Sequence, residues 1–269
     1  MKLFDDYDYD LAVRWGEGTP PLASLFETFR NQEDVFERTL RRLGTYVDDL
    51  RGIPLKPDAE RPDLPHWDNG FLPSLDIISL HGLIREGKPR KLIEIGSGNS
   101  TLVSHHARGI AGIDMEIVSI DPYPRADIDR LCDRMIRQPL ERVNLTLFDE
   151  LAPGDILFFD GSHRTLQNSD VTVFFLEILP RIPAGTVVQI HDICIPYDYP
   201  SEWRDRAYSE QYMLAVLLLF APEKWEILCP NLFTAYTGIA GRVFEGFWNE
   251  LRIPANIRHG GSFWMRKIG

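Results

Sequence analysis

The amino-acid sequence predicts an α/β protein: a doubly wound, mostly parallel sheet of seven strands behind an N-terminal helical extension. Three observations lead there. From Lys91 onward, short apolar runs alternate with stretches of helical periodicity, the signature of strand-helix-strand units. The runs DILFFD (155–160) and TVVQIH (186–191) are hydrophobic almost without a break, as central strands covered on both faces must be. Polar clusters stand where several of these runs end, the place where open α/β sheets bind ligands.

The elements follow in order. Residues 1–18 are acidic and aromatic with no period and read as an irregular arm. Residues 19–52 read as helix: Pro20 and Pro21 suit a first turn, Leu25, Phe29, Leu40, Leu43 and Val47 recur at helical steps, and Gly52 with Pro54 ends the pattern. The proline-rich stretch 53–66 reads as a linker, so 1–65 is expected as an arm with a helical extension and 66–269 as the ligand-binding domain. Leu75, Ile78, Leu80, Leu83 and Ile84 share a helical face. Strands are expected over 91–95, 115–120, 143–148, 155–160, 186–191, 224–229 and 262–267. Helices are expected over 100–107, 125–136, 166–179, 208–221 and 242–251. The 208–221 helix is apolar nearly all round, which leaves open burial against the sheet or a homo-oligomer contact.

Composition bounds the function. A net charge of -11 with no basic run makes nucleic acid a poor partner. The longest apolar stretch, 213–221, is too short to span a bilayer. Cys132, Cys194 and Cys229 are odd in number and form no CxxC, which points to reduced thiols rather than a disulfide framework. The expected location is cytoplasmic.

The strongest motif runs from Leu92 to Thr101, LIEIGSGNST. A buried strand enters a Gly96-Ser97-Gly98 turn and a helix opens at Ser100 or Thr101. Glycines let a ligand lie against the backbone, and the helix start offers free N–H groups. A dinucleotide fingerprint would place a third glycine where Thr101 stands, and would not need Glu94 inside the strand. The second strand then ends in Asp121-Pro122; a carboxylate there can hold a ribose diol in either an NAD or an S-adenosylmethionine site. Further on stand Asp160-Gly161-Ser162-His163 and His191-Asp192. The strands before them lie side by side in a doubly wound sheet, so Asp160, His163, His191 and Asp192 should converge.

Glu94-x-Gly96-x-Gly98 resembles the first motif of class I S-adenosylmethionine-dependent methyltransferases. Asp160-Gly-Ser-His163 with the later His191-Asp192 resembles a small-molecule subgroup of that family, related to the catechol-type O-methyltransferases. The resemblance spans about 66–269 and includes the final stretch Gly260–Lys267. It implies a Rossmann-like fold and transfer of a methyl group to a small-molecule acceptor, by preference a hydroxyl. The cofactor residues it implies are Glu94, Gly96, Ser97, Gly98, Ser100, Asp121, Pro122, Asp160, Gly161 and Ser162, with Phe148 and Asp149 at the adenine. It implies His163 or His191 as base beside Asp192, and a divalent ion such as Mg²⁺ on Asp160 and Asp192, although His191 stands where the catechol type has an acid. The loop 193–203 is expected to close over the acceptor opposite Trp67, Asn69 and Phe71. The alternatives are an NAD-dependent oxidoreductase and a non-catalytic or hydroxylase-like protein on the same fold.

Overall fold

The computed structural model describes residues 12–124 and 127–269; the first part of the expected arm and positions 125–126 lie outside the described residues. The expected helix over 19–52 is divided into α1 (Ala23–Arg30), α2 (Glu33–Leu43) and a 3-10 turn (Gly44–Leu50). The break at Asn31-Gln32 lets Phe29 and Phe36 turn toward one aromatic cluster. Both rings meet Phe233 edge-on, at centroid distances of 5.4 and 6.2 Å. α3 (Ser74–Gly87) is buried on every side from Ser74 to Ile84, which an amphipathic helix would not be. One of those buried residues is Asp76.

β1 (Lys91–Ile95) leads into α4 (Asn99–Ala111) and β2 (Glu116–Ile120). β3 is Arg134–Ile136, paired in parallel with β2 through Val118–Arg134, Ser119–Met135 and Ile120–Ile136. This corrects the sequence reading, which put a helix over 125–136 and the third strand at 143–148. β3 is a three-residue edge strand with two exposed residues, so it carries no apolar run. Residues 145–150 form a 3-10 turn instead, because the Asn144 side chain accepts from Thr146 N at 3.1 Å and draws the backbone out of the extended state.

β4 (Ile156–Phe159) is followed by a helix in three parts: α5 (Asp170–Val173), a π-helical turn (Phe174–Ile178) and α6 (Leu179–Arg181). Then come β5 (Val187–Ile190), α7 (Glu210–Phe220), β6 (Trp225–Pro230), α8 (Asn231–Tyr236), α9 (Ile239–Glu250) and β7 (Phe263–Lys267). The sheet has the order β3-β2-β1-β4-β5-β7-β6. Only the pairings made by β7 are antiparallel. The Rossmann-like, mostly parallel seven-stranded sheet is thus as expected. Strand order reverses between β1 and β4, so the crevice at their C-terminal ends is the ligand position of such a sheet.

The helical extension shares the core with the sheet. Leu25, Phe29, Phe36, Leu40 and Leu43 belong to the same buried cluster as the β1, β4 and β5 side chains, so no gap in packing marks position 65. The chain before α1 also grips the loop after β5. Asp198 accepts from the backbone N–H of Arg14 (2.6 Å) and Trp15 (2.9 Å), Leu22 N donates to Pro196 O (2.8 Å) and Ser201 N to Glu17 (2.8 Å). One side of α7 carries exposed Val216 and Phe220.

A Phe233→Ala exchange removes the ring on which Phe26, Phe29 and Phe36 converge. It is expected to cost about 3–5 kcal/mol while unfolding stays one transition, followed in urea by circular dichroism. Two separate transitions in the parent would show the helical extension to be a unit of its own.

Candidate active site

At the C-terminal end of β1 the backbone turns through Gly96, whose φ of +80° suits glycine. A Cβ there would stand 1.8 Å from the carbonyl oxygen of Asp160, so only glycine lets the first loop lie against the end of β4. Thr101 is no failed glycine. Its hydroxyl accepts from Gly98 N at 3.1 Å and donates to the Glu94 carboxylate in a short bond. Glu94 is fully buried and its pKa is pushed up to about 7 by that burial, against the lowering hydrogen bonds of Ser100 and Thr101. Asp121 is fastened by two backbone donors, Ser97 N at 2.9 Å and Tyr123 N at 2.7 Å.

These residues open on a cavity of about 360 Å³. It is lined by Gly96, Ser97, Asp121, Pro122, Asp160, Gly161 and Ser162, all expected, and by Tyr123, Pro139, Leu140, Glu141, Ser169 and Asp170, which were not. A recess of about 230 Å³ adjoins the same loop and takes in Ser97, Gly98, Ser100, Asn69 and Phe71. Phe148 and Asp149 are corrected: they are far from this cavity's rim. Glu150 beside them binds Lys91, the first residue of β1, and Asp149 pairs with Arg181 at 3.3 Å, so the 145–150 turn lies at the opposite end of the sheet. The residues that follow β3, Pro139 to Glu141, occupy the position given to Phe148 and Asp149.

The expected convergence of Asp160, His163, His191 and Asp192 is present. His163 Nε2 is 3.1 Å from Asp160 and 3.7 Å from Asp192; His191 Nδ1 is 3.5 Å from each of the same two carboxylates. Behind the rings stand two acids that sequence reading missed. His163 Nδ1 makes a short bond to Glu210, the first residue of α7, and His191 Nε2 lies 3.3 Å from Asp76 in α3. Asp76 and Glu210 are completely buried. Asp76 also accepts from Gly261 N (2.8 Å), Ser262 N (3.0 Å) and Asn231 (2.7 Å). Gly260 makes room for this, since a Cβ there would lie 2.2 Å from Asp76. His163 and Asp192 themselves hold positive φ, +61° and +52°, a strain that the hydrogen-bonded surroundings sustain.

Burial alone would keep both imidazoles neutral. For His163 the Glu210 charge and the Asp160 hydrogen bond outweigh it, and for His191 the charges of Asp160 and Asp192 do, so both pKa values lie well above 6.5. Burial would raise Asp160; the His191 charge and the His163 hydrogen bond hold it far below the usual carboxylate range instead. Glu210 is pushed up to about 7, with burial outweighing the pull of His163. Imidazolium cations therefore stand between the carboxylates. Among the described residues no group of three or more His, Cys, Asp or Glu is arranged to hold a metal ion. The expected ligands Asp160 and Asp192 are engaged as ion-pair partners of the two imidazoles.

Beyond the cluster lies a larger cavity of about 560 Å³. Its floor is Asp160, His163, His191 and Asp192; its walls are Trp67, Phe71 and Leu72 on one side and Cys194, Pro200, Trp203 and Tyr208 on the other. The loop 193–203 and the Trp67–Phe71 stretch thus face each other as expected, and Asn69 turns its amide to His66 O and Leu72 O to shape the second wall. Burial raises the Cys194 thiol far above its ordinary value, so it is not a nucleophile. Asp160 lines all three spaces.

Residues 93–193 match the family described as a methyltransferase domain, which takes in the glycine loop, Asp121, Asp160-Gly-Ser-His163 and His191-Asp192. The matched segment is 101 of the 269 residues. A stretch of 155 residues, 49% of this chain, is 28% identical to an uncharacterized protein of Archaeoglobus fulgidus and covers 70% of it. A match of 199 residues, 69% of the chain, is 25% identical to human mitogen-activated protein kinase kinase kinase 6, but spans only 15% of that protein. Among solved structures, the SAH-bound methyltransferase PaMTH1 of Podospora anserina is similar at 15% identity and a TM-score of 0.41, over 80% of this chain and 94% of that one. The last likeness is too loose to carry a residue across.

The cluster gives the protein a pH signature. His163 and His191 titrate well above their unfolded value of about 6.5. Their pairing therefore stabilises the fold in full below pH 6.5 and is lost as pH rises through the raised values. Glu94 and Glu210, raised to about 7 from 4.5, have the same sign in a lower window: their contribution is full below pH 4.5 and is lost as pH rises through about 7. The melting temperature is expected to fall from neutral to alkaline pH, and a His163→Asn variant to show a flatter slope in differential scanning calorimetry. A parent Tm that rises with alkalinity would contradict the charge assignment.

Proposed function

We propose that this protein moves the methyl group of S-adenosylmethionine to a hydroxyl oxygen of a small molecule held in the 560 Å³ cavity. The observation that carries the reading is the position of Asp160 on the wall common to both cavities. When bound, S-adenosylmethionine supplies a methyl group on a sulfonium centre. Asp121 fits its ribose diol, with both carboxylate oxygens fixed by backbone donors, and Pro122, Pro139 and Leu140 form an apolar slot that fits a flat base. Glu94 and Thr101 keep the glycine turn closed beneath it.

In-line displacement at carbon requires the acceptor oxygen at the boundary of the two spaces, aimed along the bond that breaks. Asp160 and Asp192 are the groups there that accept hydrogen bonds. The imidazoles cannot, because both rest as cations, which moves the role of base from His163 or His191 to a carboxylate. A carboxylate of low pKa is sufficient. As the new carbon–oxygen bond forms, the hydroxyl becomes strongly acidic, and Asp160 takes its proton late in the reaction. His163 and His191 hold Asp160 in place, and Glu210 and Asp76 hold the two rings. No step calls on a metal.

The test is methyl transfer from labelled S-adenosylmethionine to a panel of small alcohols and phenols. Asp160→Asn keeps the shape and removes the proton acceptor; it is expected to lower kcat about 10²–10⁴-fold while S-adenosylhomocysteine still binds. Transfer confined to amines or carbon acids, or an Asp160→Asn variant with the parent's kcat, would contradict the proposal.

A further inference from the structure

The acceptor cavity has one cation at its edge that the transfer chemistry does not use. Arg206 lines it from the turn Ser201–Arg206, and its guanidinium lies 4.2 Å above the Trp203 ring and 5.6 Å from that of Tyr208. Among the described residues its nitrogens have no carboxylate partner. A guanidinium stacked through its face keeps its in-plane N–H fork free, and that fork matches a carboxylate in two parallel hydrogen bonds.

The backbone around it is fixed to the floor of the site. Arg206 O accepts from Arg164 Nε at 2.9 Å, Ser209 N donates to His163 O at 2.7 Å and Thr165 N to the Ser209 hydroxyl at 2.8 Å. Tyr208 bridges the two ends, its ring 4.3 Å from the His163 ring. One aromatic ring thus separates the guanidinium fork from the His163–Asp160 pair. The walls between them, Trp67 and Phe71 against Trp203 and Tyr208, are flat and apolar, and suit a planar body.

We infer that Arg206 is a specificity-determining residue that receives a carboxylate, and that the acceptor class is the hydroxyaryl carboxylates, planar molecules with the hydroxyl at Asp160 and the carboxylate at Arg206. The inference rests on the larger cavity being the acceptor site of the methyl transfer.

The experiment is calorimetric titration of the S-adenosylhomocysteine-saturated protein with 4-hydroxybenzoate, 4-hydroxycinnamate and 3,4-dihydroxycinnamate, each beside its uncharged carboxamide. The carboxylates are expected to bind roughly tenfold or more tightly than the amides, in line with a charge-assisted pair. Arg206→Gln is expected to erase that difference, and Arg206→Lys to restore part of it. Amides that bind as well as the acids, discrimination that survives Arg206→Gln, or no binding by any of the six would overturn the inference. Affinity for S-adenosylhomocysteine, measured first in every variant, separates the two levels: its absence strikes the methyl-transfer reading, whereas its presence leaves any failure with Arg206.

Discussion

Asp160 is held between the rings of His163 and His191, and each ring is held in turn by an acid that water does not reach. The series Glu210, His163, Asp160, His191, Asp76 joins α7, the end of β4, the end of β5 and α3 in one chain of hydrogen bonds and ion pairs. Charges taken out of water are costly, and they persist only when each has its partner. Here each has. The backbone N–H groups of Gly261 and Ser262 and the amide of Asn231 complete Asp76, which brings the stretch before β7 and the start of α8 into the same network. That chain decides which oxygen faces the boundary between the two cavities, and the charge on the rings decides that it stays a carboxylate.

The scaffold around the chain follows from ordinary packing. β1 and β4 are buried on both faces and lie at the reversal of strand order, so their ends must diverge into a crevice. Gly96 lets the first loop touch the last carbonyl of the crevice's other side, and the Asp160 side chain springs from that same residue. On the acceptor side the arm before α1 braces the loop after β5 through Asp198 and Glu17. The helical extension is therefore both part of the core and part of the frame of the larger cavity.

Much of this was legible in the sequence. Continuous apolar runs gave the central strands, and polar residues at their ends gave Gly96, Asp121, Asp160, His163, His191 and Asp192, because a turn at a strand end leaves little freedom in where its first residues lie. What stayed hidden depends on distant pairing. Glu210 is 47 positions from His163, and Asp76 is 115 from His191. Each acid is set in an apolar helix, SLDIISL and EQYMLAV, and that oddity was the one local sign of a buried partner. Phe148 and Asp149 were misplaced for a different reason: an exposed three-residue edge strand has no hydrophobic pattern, so the more apolar 143–148 took its place in the reading. Charge state was also out of reach, since whether a histidine is a base or a cation depends on the carboxylates the fold brings beside it.

The central claim is that the crevice at Gly96, Asp121 and Asp160 is built for the adenosyl group of a methyl donor. Isothermal titration of the purified protein with S-adenosylhomocysteine, with NAD in parallel, tests it most directly. The account predicts micromolar binding of S-adenosylhomocysteine, lost when Asp121 becomes Ala, and no heat from NAD. Binding of NAD with none of S-adenosylhomocysteine would contradict it.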